Sequence, residues 1–215
     1  MKLFATFAAL GFATLLLAPD ASAQDAGTIA GNAERGRALG YTCLGCHGIE
    51  DYKNANPVYR VPRLRGQHPE YLAIALTAYK NGERAHSTMH AQATTMTEQD
   101  IADVAVFLAG TPLTAAATAD PVGKPPEAAA ACVACHGTDG IGIIGQYPTL
   151  SGQYADYLER ALHDYKRGNR KNEVMAGFVG TLTETDIAAL AAYYSQQQPK
   201  LEVIPKRRFW FSSRD

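Results

Sequence analysis

Residues 62–84 read PRLRGQHPEYLAIALTAYKNGER and residues 148–170 read PTLSGQYADYLERALHDYKRGNR, and the two align without a gap at a shift of 86. The register runs on: Met89 falls on Met175, Met96 on Leu182, Asp100 on Asp186 and Phe107 on Tyr193. Self-similarity at a fixed period marks a repeated structural unit. Upstream, CLGCHG from Cys43 and CVACHG from Cys132 pair at a shift of 89, because the first copy holds three extra residues before Pro62. The chain is one unit written twice. Between the copies, GTPLTAAATADPVGKPP (Gly110–Pro126) is rich in Ala, Thr and Pro and reads as a linker.

Both copies have helical periodicity. Leu72, Ala75, Leu76 and Tyr79 share one helical face, as do Leu158, Ala161, Leu162 and Tyr165. Gly82 and Gly168 follow as stops. Thr97–Asp100 and Thr183–Asp186 resemble capping boxes that open helices with apolar faces at Ile101, Val104, Ala105, Leu108 and at Ile187, Leu190, Ala191, Tyr194. Asn32 is expected to cap a first helix running into Cys43. No segment alternates with a strand's period of two over a strand's length. The fold class is all-α, with two tandem domains.

At the N-terminus, Lys2, an apolar run from Leu3 to Ala18 and Ala21-Ser22-Ala23 have the form of a secretory signal cleaved after Ala23. The expected divisions are a signal at 1–23, a first domain at 24–110, a linker at 111–126, a second domain at 127–198 and a tail at 199–215. Export makes the four cysteines informative, since free thiols persist poorly in an oxidising compartment. Twenty Lys and Arg against 21 Asp and Glu leave no basic excess, and no basic stripe crosses the body of the chain, which argues against nucleic acid as partner.

Cys43, Cys46 and His47, and again Cys132, Cys135 and His136, follow a Cys-x-x-Cys-His spacing. At a helix end, positions i, i+3 and i+4 share a face. Two thiols can add to two edge groups of one planar ligand while the imidazole reaches its centre, which is the c-type haem attachment pattern. A single zinc site built from all four cysteines would leave both histidines surplus. Local disulfides or redox dithiols would lack their strand–helix setting. For the second iron ligand, Met89 and Met175 occupy matching positions, and a thioether suits haem. Core packing is the competing role for a methionine, and His86 or His90 could serve in place of Met89. Met96 falls where Leu182 falls, before the Thr97 cap, as a hydrophobic staple toward Ile101. His68 and His163 have no histidine counterpart in the other copy and are expected to be solvated.

Taken together, the two Cys-x-x-Cys-His-Gly units, each followed by Pro-x-Leu-x-Gly-Gln, a helix ending Tyr-Lys-x-Gly-x-Arg, a methionine and an Asp-Ile-Ala helix resemble the cytochrome c4 family. The resemblance covers nearly all the chain after the signal, up to about Gln198. It implies a dihaem periplasmic electron carrier made of two cytochrome c domains, facing each other about a pseudo-twofold axis with the haem propionates near the interface. It implies covalent haem at Cys43 and Cys46 and at Cys132 and Cys135, with His47 and Met89 on the first iron and His136 and Met175 on the second. It also implies that the carbonyls of Pro62 and Pro148 receive the Nδ1 protons of the two histidines. A haem closed on both faces by side chains cannot readily bind a substrate, so no catalytic residue is assigned. The family suggests the bc1 complex as donor and a cbb3-type oxidase as acceptor. The runner-up is a dihaem oxidoreductase, or a subunit of one, acting on a sulfur compound or peroxide, which needs an open ligand position.

Two stretches depart from the family pattern. The first copy carries IEDYKNANPVYRVPRLRG, longer and more basic than its counterpart, so the surface near the first haem is expected to differ. The tail PKLEVIPKRRFWFSSRD has five cationic and two acidic side chains around Phe209, Trp210 and Phe211. It is read as solubilising, packed back on a domain, or docked on a membrane surface or oxidase.

Overall fold

The computed structural model describes residues 29–114 and 120–204. The expected signal at 1–23 and the aromatic end of the tail lie outside the described residues. The first domain contains α1 (Ala33–Leu39), α2 (Leu44–His47), α3 (Pro69–Lys80), α4 (Ser87–Ala93) and α5 (Glu98–Ala109). After a five-residue 3₁₀ turn at Glu127–Ala131, the second contains α6 (Val133–His136), α7 (Ala155–Lys166), α8 (Glu173–Val179) and α9 (Glu184–Ser195). Among the described residues, extended pairing is confined to three isolated bridges, and no single helix is long and apolar enough to cross a membrane. The all-α expectation holds.

The expected faces form the cores. Leu72, Leu76 and Tyr79 of α3 meet Ile101, Val104, Ala105 and Leu108 of α5. In the second domain, Leu158 of α7 packs with Leu190, Ala191 and Tyr194 of α9. Both long helices α5 and α9 open on a reciprocal capping box, Thr97 with Asp100 and Thr183 with Asp186. Each satisfies amides that a helix start leaves without partners.

The first helix differs from expectation. Asn32 Oδ1 does cap it, accepting from the amides of Glu34 and Arg35 at 3.0 Å each. However, α1 stops at Leu39, and a turn separates it from α2. Gly36 lies so close to α5 that a Cβ there would sit 1.9 Å from the Asp103 carbonyl. Asp103, fully buried, accepts from the Asn32 amide at 2.7 Å and pairs with Arg35, which also reaches Asp100. The second domain has no equivalent of α1, since Pro125 and Pro126 stand where it would run and proline lacks the amide a helix interior needs. Instead, the Gln197 side chain holds the linker end, accepting from the Val122 amide at 2.8 Å and donating to its carbonyl at 3.0 Å.

After α9 the chain crosses back to the first domain. Leu201 and Ile204 are buried, and Ile204 joins the first core. Leu201 N–H donates to Ser151 O at 2.9 Å, Glu202 exchanges two backbone bonds of 3.0 Å with Arg65, and Ile204 N–H donates to His47 O at 3.1 Å. This part of the tail, at least, packs back on the body.

Candidate functional site

Helices α2 and α6 are single turns, and their closing bonds set the geometry. His47 N–H donates to Cys43 O at 2.9 Å and His136 N–H to Cys132 O at 3.0 Å. First cysteine and histidine therefore share one helical face, as the spacing implies. Both rings are buried, with Nδ1 2.8 Å from Pro62 O for His47 and 2.9 Å from Pro148 O for His136. A carbonyl only accepts, so Nδ1 carries the proton and Nε2 keeps its lone pair for a ligand bond. Burial pushes the His47 pKa down to about 4 against the pull of the Pro62 carbonyl, and lowers His136 in the same way. Both imidazoles are neutral, the state that binds metal. Burial raises the Cys43 and Cys132 thiols, and all four cysteines are free. Among the described residues no three His, Cys, Asp or Glu side chains converge as a metal site, so the shared zinc reading lacks a donor set.

Met89 and Met175 ride on α4 and α8, short helices without enough turns to show a period in the sequence. Their starts are matched. His86 Nδ1 accepts from the Met89 amide at 3.3 Å, and at the equivalent position Asn172 Oδ1 accepts from the Met175 amide at 2.9 Å. His86 is thus a helix cap, with Nε2 3.3 Å from Asn54 Oδ1. His90 Nδ1 lies 2.8 Å from the Tyr79 carbonyl. Met96 packs on the first core, and Leu182 does so on the second.

The four cysteines, His47, His136, Met89 and Met175 all line one cavity of about 940 Å³ that reaches through both domains. Leu72, Leu76, Leu158, Leu162 and Leu190 make its walls. Its size is at the upper end for small-molecule sites. Two neutral imidazoles, two thioethers and four thiols in an apolar cleft are a donor set that fits two covalent haems. Arg84 and Arg170, both buried, face the same cleft, and neither meets a carboxylate within 4 Å among the described residues. A buried cation without an anion is costly, and haem propionates are the anions the site would bring.

The two halves meet through reciprocal contacts. Arg84 Nη2 donates to Tyr157 Oη and Arg170 Nη2 to Tyr71 Oη, each at 2.5 Å, and the backbones of Arg84 and Arg170 form an antiparallel bridge. Gln67 accepts from the Thr149 amide at 2.8 Å and donates to its carbonyl at 2.9 Å. Its counterpart Gln153 accepts from the Arg63 amide at 3.0 Å and donates to its carbonyl at 2.9 Å. Every one of these residues sits 86 positions from its own equivalent in the other copy, as a pseudo-twofold demands.

The longer, more basic loop of the first copy is a clasp. Arg60 pairs with Asp51 at 2.8 Å and Asp156 at 3.3 Å. Arg63 pairs with Glu50, donates to the Gly152 carbonyl, and stacks 4.0 Å from the Tyr154 ring centre. Arg60 and Arg63 thus reach the second domain at Asp156, Gly152 and Tyr154, while Asp51 and Glu50 of the same loop also pair with them. The expectation for His68 also changes: its Nε2 lies 3.0 Å from Gly142 O across the interface. His163 rests 3.3 Å from the Glu184 carboxylate. The contacts that cross between repeats or elements are not legible from composition, because their partners are distant in sequence.

Comparison with known proteins bears on the same residues. The family model for cytochrome c matches twice, at residues 33–112 and 127–198. Cytochrome c4 of Pseudomonas aeruginosa is 32% identical over 76% of this chain and 88% of its own. A thiosulfate dehydrogenase electron acceptor of Stutzerimonas stutzeri is 28% identical over 86% of this chain and 92% of its own. The crystal structure of reduced recombinant cytochrome c4 from Pseudomonas stutzeri superposes with a TM-score of 0.61 at 27% identity, covering 78% of this chain and all of that one.

Proposed function

The chain belongs to the cytochrome c4 family, dihaem electron-transfer proteins with covalently bound haem c, and on that premise we propose that His47 with Met89, and His136 with Met175, close both faces of its two irons. Cys43 and Cys46 attach the first haem and Cys132 and Cys135 the second. Haem supplies a one-electron couple at iron, whose potential follows axial ligand, burial and nearby hydrogen bonds. The protein's share is to hold that environment still. His47 and His136 keep their protons on Nδ1 through Pro62 and Pro148 and present Nε2 inward. The caps at His86 and Asn172 hold α4 and α8 so that each thioether stays over the cleft. Arg84 and Arg170, buried on the cleft, would offer positive charge to the haem carboxylates.

The observation that carries this reading is the equivalent placement of histidine and methionine on one cleft in both repeats. With no position left for a substrate, the protein acts as a carrier and not as an enzyme. It works in the periplasm, after removal of residues 1–23, between a donor such as the bc1 complex and an acceptor such as a cbb3-type oxidase. The similarity to a thiosulfate dehydrogenase electron acceptor favours a second donor, an enzyme that oxidises thiosulfate. The ligand set is tested by the far-red charge-transfer band of sulfur bound to ferric haem. Met175→Ala should remove half its intensity and Met89→Ala the other half. A band that survives either substitution unchanged would remove that methionine from the iron.

A further inference from the structure

The crossed glutamines do more than join two domains. Gln67 Oε1 accepts from the Thr149 N–H, and that N–H belongs to the same peptide unit as the Pro148 carbonyl that receives the His136 Nδ1 proton. Likewise, Gln153 Oε1 accepts from the Arg63 N–H, whose peptide unit carries the Pro62 carbonyl bonded to His47. Each relay runs from one domain into the imidazole of the other. Both glutamines are nearly inaccessible, at 3% and 4% exposure, and Thr149 is at 2%. Water therefore cannot readily substitute for the side-chain amide. Each glutamine also clamps the next carbonyl through Nε2, at 2.9 Å in both copies, so the peptide cannot rotate. The glutamine Oε1 further accepts from its own following amide, at 3.0 Å for His68 and 3.1 Å for Tyr154, which fixes the side chain at the start of α3 or α7.

We propose that Gln67 and Gln153 are crossed positioning residues: Gln67, in the first domain, tunes the second haem through Pro148 and His136, and Gln153 tunes the first through Pro62 and His47. The physical basis is polarisation along a hydrogen-bonded chain. An acceptor on a peptide N–H makes the carbonyl of that peptide a stronger acceptor. A stronger acceptor at Nδ1 makes the imidazole a more basic ligand, which favours the oxidised iron. The relay consequently lowers the potential of the haem it reaches, and a change in the position of one domain is felt at the iron of the other. The pattern rests on His47 and His136 being the iron ligands.

The test is a crossover in the holoprotein. Gln67→Met keeps length and volume while removing both amide contacts. Spectroelectrochemistry would resolve the two midpoint potentials, and Met89→His and Met175→His variants would assign them. Gln67→Met should raise the potential of the second haem and leave the first unchanged, while Gln153→Met should raise the first and leave the second. Gln67→Glu, which retains an acceptor toward the Thr149 amide, should leave the second potential below that of Gln67→Met. A shift of the haem in the glutamine's own domain, equal shifts of both, or lower stability with neither potential moved would overturn the relay. If instead the assigning histidine variants leave both potentials and spectra as in wild type, the ligand assignment fails rather than the relay.

Discussion

Replacing Leu201 with alanine should cost about 3–4 kcal/mol of stability, although the residue lies beyond the last helix. Leu201 has no exposure at all. Removing three carbons forfeits about 2.4 kcal/mol of transfer free energy at ~0.8 per carbon. The hole left behind adds to that, because its surroundings are pinned: Leu201 N–H is bonded to Ser151 O, and Glu202 exchanges two backbone bonds with Arg65. A site held by backbone on both sides collapses poorly, which places the total in the middle of the range for leucine-to-alanine changes. At roughly 2–4 °C per kcal/mol for a chain of this size, the melting temperature should fall by about 6–16 °C. Urea and thermal unfolding of the holoprotein would measure it, with exposed Lys200→Ala as a control expected to lie within about 0.5 kcal/mol of wild type. A loss for Leu201→Ala below about 1 kcal/mol would show that this segment does not fasten the two domains.

Other perturbations probe separate parts of the account. Asn172→Ala removes the cap of α8 and about 1 kcal/mol of helix stability. That should raise the rate of cyanide binding to the oxidised second haem about fivefold, and an unchanged rate would detach the cap from the iron site. Gly36→Ala drives a methyl into the Asp103 carbonyl of α5, so it should destabilise the first domain by about 1–3 kcal/mol in urea unfolding. The Asp100 carboxyl is held down at about 2 by the Thr97 amide, then by the Thr97 hydroxyl and Arg35. Its folded value is the depressed one, so its contribution is present above its ordinary 3.8 and is lost as pH falls through 2. Asp100→Asn should flatten the acid limb of the stability curve in that window, and an unaltered limb would contradict the assignment.

How much could be read beforehand follows from the range of each interaction. The two domains, the long helices α3, α5, α7 and α9 and their caps rest on local periodicity or on a side chain three residues from its target. They emerged as expected. So did the family and its two haems, because Cys-x-x-Cys-His is a local spacing repeated in register. Helices α4 and α8 did not show, since seven residues carry too few turns for a period. Gln67 and Gln153 were visible as identical positions, yet their partners lie in the opposite copy, where no periodicity points. The tail is read by its charge and aromatics, while burial of Leu201 and the entry of Ile204 into the first core decide that its first residues pack on the body. His68 is expected to be solvated because a single polar residue at a helix start gives no sign of a carbonyl arriving from Gly142.

The central claim is that both irons are closed by protein side chains and so carry electrons without binding a substrate. Adding carbon monoxide to the fully reduced wild-type protein tests it most directly. The account predicts no spectral change at either haem, with binding appearing at the second haem in Met175→Ala and at the first in Met89→Ala. Ready binding of carbon monoxide by the wild-type protein at either haem would contradict it, and would identify that iron as the open position of an enzyme.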